Sequence, residues 1–353
     1  PPTGFKSLHT GNLPDAAIEN GSKYFNTVLY TGDGASDRGI TGVGLQPDFT
    51  WIKCRSNAVS NIVFDSVRGV SRYMLTNSTA AEAYTAGEWL ESFDADGFTV
   101  NNQTAINSNG LTYVAWNWKA GGAAVTNTAG SITSQVSASP TAGFSVVTYT
   151  EPSGTFSFGH GLGVTPAMVI IKNRGVGNWI VWHKSFATPP TTAAMYLNTT
   201  TAVANSGGTW LNSVSSTVVD MNSGQFTGPG TKVAYCFSEV PGYSKFGSYV
   251  GNGSADGPFV NLGFRARFIL TKATQQGSQW FIWDTARELD NPNNSTLFPE
   301  SSQAETSNNS ALDVDVLSNG FKIRNTGSGQ NNNGYTYIYM AFAENPFKNS
   351  LAR

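Results

Sequence analysis

GITGVGLQPDFTWIKCR (39–55), SFGHGLGVTPAMVIIKNR (157–174) and FVNLGFRARFILTKAT (259–274) share one frame: a glycine turn, a β-rich apolar run, then a lysine, at Lys53, Lys172 and Lys272. A second match follows each: NIVFD (61–65), NWIVWH (178–183) and QWFIWD (279–284). Aromatic strands open the three stretches, in YFNTVLYT (24–31), FSVVTYT (144–150) and KFGSYV (245–250). Others close them, in TYVAWNWKAGG (112–122), TKVAYCFSEVPG (231–242) and TYIYMAFAENPF (336–347). One pattern laid down three times is the mark of a repeat architecture.

Within each copy, short apolar runs alternate with turn signals. The period of two places Val114, Trp116 and Trp118 on one face of a strand. Asp96-Gly97 and Asn319-Gly320 offer the positive φ of a tight hairpin turn. Helix signals are thin, the best being STAAEA (78–83) and its counterpart SSQAET (301–306), each good for a turn or two. The sequence therefore predicts an all-β chain of three tandem antiparallel β-sandwich modules, jelly-roll-like and of about 100 residues each. Residues 1–22 read as the tail of an upstream domain or a linker, and the modules as 23–122, 123–242 and 243–353. They are expected in a row, the last two rigidly stacked, with 120–143 as a linker or a linker plus one strand.

Composition narrows the function classes. Only 12% of the 353 residues are charged, about half the ordinary share. The net charge of −2 and the absence of a basic stripe argue against nucleic-acid binding. A hydrophobic content of 39% excludes a disordered chain. No run approaches the ~20 apolar residues of a membrane span, so no membrane insertion is expected. The start, PPTGFKSLHTGNLP, has neither the basic nor the apolar region of a signal peptide and reads as part of something longer. Cys54 and Cys236 are too few for a disulfide framework and read as free buried thiols.

The search for chemistry returns little. His9, His160 and His183 lack metal-ligand spacing; His160 reads as a turn residue and His183 as a strand end. No GxSxG elbow anchors a serine nucleophile, and nothing marks a base for either cysteine. Asp94-Ala95-Asp96-Gly97 resembles the start of a calcium loop but lacks the later ligands, and LSNG (317–320) has lost both aspartates, so a hairpin is expected. GDGASD (32–37) and DNPNN (290–294) read as turns in the same way. No catalytic residue, metal or cofactor is expected, and the chain reads as a non-enzyme. The repeated polar pair is Asp65 with Arg68, recurring as Asp284 with Arg287, where the second module has His183 and Phe186. These four residues are candidates for a strand-end ion pair or for ligand contact. Most of the nine tryptophans read as core; Trp210, nearer a turn, is a candidate glycan contact.

The blocks GYSKFGSYVGNGSADGPF (242–259), YIYMAFAENPFKNSLAR (337–353), TYVAWNWKAGG and the GLGVTP turn resemble structural proteins of tailed bacteriophages, where such modules occur in tandem. PPTGFKSLHTGNLP is similar to the exit of a concanavalin-like, SPRY-type sandwich. The resemblance implies a virion component of tail-fibre or appendage type, a homo-oligomer with a trimer as first guess, whose partners are other virion proteins and host-surface glycan. A capsid-decorating or filament-forming protein that binds only other subunits is the alternative, and a glycan depolymerase a more distant one. The resemblance assigns no catalytic or binding residue. The second module departs furthest, with His183-Lys184-Ser185 and a long TPPTTAAMY loop (188–196).

Overall fold

The computed structural model describes residues 17–186, 191–224 and 229–344. His9, the string likened to an upstream sandwich and the end of the chain lie outside these ranges. The described chain is 45% strand and 4% helix, in antiparallel sheets that do not close into barrels.

The first segment carries β1 Phe25–Thr31, β2 Arg38–Ile40, β3 Phe49–Cys54, β4 Ile62–Asp65, β5 Arg72–Leu75, β6 Ala83–Tyr84, β7 Leu90–Asp94, β8 Gly97–Val100 and β9 Thr112–Trp118. The second carries β10 Val125–Asn127, β11 Ser134–Ser139, β12 Phe144–Glu151, β13 Thr155–Gly159, β14 Met168–Asn173, β15 Trp179–His183, β16 Ala193–Tyr196, β17 Ala204–Asn205, β18 Leu211–Val214, β19 Val218–Asn222 and β20 Gly230–Phe237. The third carries β21 Ser244–Val250, β22 Phe259–Asn261, β23 Ala266–Ala273, β24 Phe281–Asp284, β25 Val314–Leu317, β26 Gly320–Ile323 and β27 Thr336–Ala343.

One strand order recurs. The long sheets run β1-β9-β3-β4-β5-β6, β10-β11-β12-β20-β14-β15-β16-β17 and β21-β27-β23-β24, so the opening strand always lies beside the closing one. A three-stranded sheet accompanies each: β2-β8-β7, β13-β19-β18 and β22-β26-β25. A separate apolar cluster fills each segment between its long and short sheet, for example Ile52, Phe64, Phe98 and Ala115 in the first.

The other face of every long sheet turns to one shared core. Phe25, Trp51, Trp116 and Trp118 of the first segment pack there with Phe144, Ile170, Trp179 and Phe237 of the second and Phe246, Phe268, Ile282 and Phe342 of the third. The closing strands are consequently buried on both faces. Trp118 lies edge-on to Phe237, Phe268 and Phe342, a geometry that adds to area burial. The remaining void, bordered by Trp51, Ile170, Tyr235 and Met340, is about 10 Å³, at the lower limit for one water. Among the described residues the centre is solid.

The segments therefore surround a common axis instead of standing in a row, and the third touches the first. Three sets of equivalent bonds define the ring. The Glu82 N–H donates to Arg174 O at 2.7 Å, Val203 N–H to Thr274 O at 3.0 Å, and Glu305 N–H to Arg55 O at 2.8 Å. Trp179 Nε1 donates to Leu75 O at 2.8 Å and Trp280 Nε1 to Tyr196 O at 3.0 Å. Asn61 Nδ2 takes the third such place, on Phe298 O at 3.2 Å. Two of the repeated lysines belong to the same seams: Lys53 Nζ donates to Ser302 O at 2.9 Å and Lys272 Nζ to Thr200 O at 3.0 Å, whereas Lys172 Nζ donates to Asn173 O and Gly175 O of its own segment.

Other expectations change for local reasons. STAAEA and SSQAET are not helical; each runs extended across a seam and delivers Glu82 or Glu305 to the next segment. The helices are single turns elsewhere, α1 Thr104–Asn107 and α2 Ser328–Asn331. Segment 120–143 supplies two strands, β10 and β11, to the second long sheet. Part of the TPPTTAAMY stretch is strand β16. The hairpins at Asp96-Gly97 and Asn319-Gly320 form with Asp94 opposite Gly97 and Leu317 opposite Gly320. Glycine is required there by close approach: a Cβ would lie 2.0 Å from Ile40 O or from Val260 O.

Candidate functional site

The Asp65–Arg68 and Asp284–Arg287 pairs lie inside the protein, their side chains 0% exposed. Each sits where a β4-type strand ends against the neighbouring segment. Asp65 accepts from Arg68 N at 2.8 Å, from Arg68 Nε at 2.5 Å and, across the seam, from Tyr235 OH at 2.8 Å. Arg68 also reaches Glu82, which accepts two bonds from Arg174 of the second segment at 3.0 and 2.7 Å. The seam between third and first segments repeats this set. Asp284 accepts from Arg287 N and Nε at 2.9 and 2.6 Å and from Trp116 Nε1 at 3.0 Å. Glu305 accepts from Arg287 at 2.7 Å and from Arg55 at 2.8 and 3.0 Å. Burial alone would raise the Glu82 and Glu305 carboxyls, but the facing guanidiniums outweigh it and hold both below the ordinary value.

At the seam between second and third segments the corresponding places hold His183, Phe186, Val203, Thr274 and Met340. An ionic set is replaced as a whole by an uncharged one. His183, also fully buried, bonds through Nε2 to Tyr339 O at 3.2 Å and accepts the Ser185 N–H on Nδ1. Burial pushes its pKa down to about 3.

The structure thus brings each sequence-flagged pair together as the centre of a seam, and keeps the two pairs at different seams. Trp210 is 2% exposed, its Nε1 on Ala193 O, so none of the five flagged side chains faces solvent. Their partners Glu82, Glu305, Arg55 and Arg174 escape a reading for chemistry. The available signal is register: both arginines stand two residues after the repeated lysine, and both glutamates at one place in the matched STAAEA and SSQAET strings.

Where the first seam reaches the surface it opens beside a groove of about 200 Å³. Thr133 and Gln135 beside and on β11, Thr148 and Thr150 on β12, Thr231 on β20 and Arg174 line it. Thr150 stands directly opposite Thr231. Through Glu82, Arg174 is joined to Arg72, whose guanidinium lies 4.9 Å from the ring centre of Tyr84. Tyr84 is 60% exposed, more than any other described aromatic. Tyr73 and Trp89, their ring centres 4.3 Å apart and tilted by 33°, pack instead against the first segment's own core. Hydroxyls, one amide, a guanidinium and an aromatic ledge suit a polyhydroxylated ligand held by hydrogen bonds and ring contact. A larger groove of about 370 Å³ runs past Gln46, Asp48, Ser66 and Glu91, but its Asp48 carboxylate is occupied by Ala120 N, Gly122 N and Ser66 Oγ.

Among the described residues no group of three or more His, Cys, Asp or Glu side chains is placed to hold a metal ion, and Cys54 and Cys236 are free and buried. No helix of the described chain is long and apolar enough to cross a membrane. No curated protein matches the sequence. Residues 20–346 match the family described as a domain of unknown function, DUF7483. That span takes in every strand from β1 to β27, and the chain is a member of the DUF7483 family.

Proposed function

We propose that this chain is a non-enzymatic component of a bacteriophage virion, of tail-fibre or appendage type. In this reading three copies of one β-sandwich module are fused about a common core as a rigid mount for a glycan-binding groove. The observation that carries it is the groove beside Arg174, lined by threonine, glutamine and arginine without a carboxylate, on a scaffold with a solid centre. Such a surface makes weak hydrogen bonds to sugar hydroxyls and has no acid–base pair for cleaving them. The trimer implied by the phage resemblance would carry three grooves, and useful affinity would come from their joint engagement.

The test is binding of fluorescently labelled protein to a panel of bacterial cells and their purified surface polysaccharides, beside a Thr150→Trp/Thr231→Trp variant that fills the groove. Saturable labelling that the variant loses, at unchanged thermal midpoint, supports the proposal. Labelling retained by the variant refutes the groove. No labelling by either favours a second reading, a subunit that binds only other subunits. A specific feature favours that rival: among the described residues the outer edges of β1 and β21 carry no strand, whereas β11 covers the same edge of β12. Bare edges are templates for pairing with another chain.

A further inference from the structure

One buried corner of the second segment differs from its two counterparts at three places together. In the first segment the places hold Gly32, Cys54 and Tyr113, and in the third Gly251, Ala273 and Tyr337. There each tyrosine hydroxyl caps a short helix, Tyr113 donating to Thr104 O and Tyr337 to Ser328 O, both at 2.7 Å. In the second segment the same places hold Glu151, Asn173 and Lys232. All three are buried, at 4%, 8% and 0% exposure.

Lys232 lies on β20 directly opposite Asn173 of β14, so the two side chains share a face at the spacing of cross-strand neighbours. Its Nζ is 3.4 Å from Glu151 Oε2 and donates to Gly230 O at 3.2 Å. A Cβ on that same Gly230 would lie 3.9 Å from Asn173 Oδ1, so the asparagine amide and the ammonium border the same residue. Asn173 Oδ1 accepts the backbone N–H of Gly175 at 2.9 Å, and Glu151 Oε1 that of Gly224 at 3.0 Å. An amine, a carboxamide whose oxygen already holds a backbone donor, and a carboxylate that can carry a proton are thus gathered out of water.

We infer that Lys232 and Asn173 join in an intramolecular isopeptide bond, with Glu151 as the proton carrier. Neutral Nζ attacks Cγ of Asn173 while the Gly175 N–H stabilises the charge that develops on Oδ1. Glu151 takes the proton from Nζ and returns it to Nδ2. The Cγ–Nδ2 bond breaks, and ammonia leaves with the hydrogen that Nζ gave up. One amide replaces another, so neither an oxidant nor a further reactant is needed. Burial lowers the Lys232 pKa, which favours the neutral amine the step requires. The bond would fasten β14 to β20 covalently, and the inference does not rest on the virion reading.

The test is the intact mass of the purified chain under denaturing conditions, followed by tryptic peptide mapping. The expected result is a mass lower than the sequence mass by one ammonia, no cleavage after Lys232, and a branched peptide joining the Lys232 and Asn173 strands. Glu151→Gln, folded by circular dichroism, should keep the full mass. An unmodified mass for the wild-type chain overturns the inference, and so does ammonia loss without the branched peptide. Should Glu151→Gln fail to fold, the wild-type map alone still decides.

Discussion

The two kinds of seam make a transplant experiment informative. Asp65→His alone removes three acceptor contacts, those from Arg68 N, Arg68 Nε and Tyr235 OH. It leaves the Arg68 guanidinium, 0% exposed, with Glu82 as its remaining carboxylate. Breaking a buried pair from one side costs about 3–5 kcal/mol. The remedy is already present at the seam between second and third segments. Installing that whole set, Asp65→His, Arg68→Phe, Glu82→Val, Arg174→Thr and Tyr235→Met, removes the charges of Asp65, Arg68, Glu82 and Arg174 together and leaves only the more exposed Arg72. Replacing a buried ionic cluster by packed apolar residues is close to neutral, so the fivefold variant should lie within about 2 kcal/mol of wild type. Urea unfolding followed by tryptophan fluorescence reads both numbers. A fivefold variant as unstable as the sum of its single changes would refute the equivalence of the seams.

Further outcomes follow from the same structure. His183, held near pKa 3 by burial, binds no proton through mild acid, whereas in the unfolded chain it titrates near its ordinary 6.5. Stability should therefore fall as pH drops from 6.5 toward 3, by at most about 1.4 kcal/mol per pH unit, and His183→Gln should flatten the urea midpoint against pH. Lys53, Lys172 and Lys272 are each lowered to about 8 by burial. Just above pH 8 the unfolded chain holds protons that the folded lysines release, so stability should rise between pH 8 and 9, and less so in Lys172→Met. Gly320→Ala puts a Cβ 2.0 Å from Val260 O and should cost about 2–3 kcal/mol in the same unfolding assay.

How much of this is legible in the sequence depends on distance along the chain. The frames ending at Lys53, Lys172 and Lys272 do mark equivalent strands, and the alternation of Val114, Trp116 and Trp118 does mark one face, the one turned to the shared core. Local pattern carries that much because strand periodicity is a neighbour-to-neighbour property. Ring closure is different in kind. It rests on Trp116 meeting Asp284 and on Arg55 meeting Glu305, and no local signal records such partners. The same blindness turns Glu82 and Glu305 into apparent helix residues. Alanine and glutamate favour helix on propensity, but here a salt bridge across a seam holds the segment extended. The candidate groove is invisible for a related reason: its threonines and glutamine come from on or beside three strands and its arginine from a fourth place, each unremarkable alone.

The central claim is that the three segments close around one core, and small-angle X-ray scattering of the monomeric chain tests it most directly. A compact chain of 353 residues should show a radius of gyration of about 20 Å. Three modules strung about 30 Å apart would give about 28 Å. A value near the first, with a single compact distance distribution, is what the closed arrangement predicts. A value near the second would contradict it.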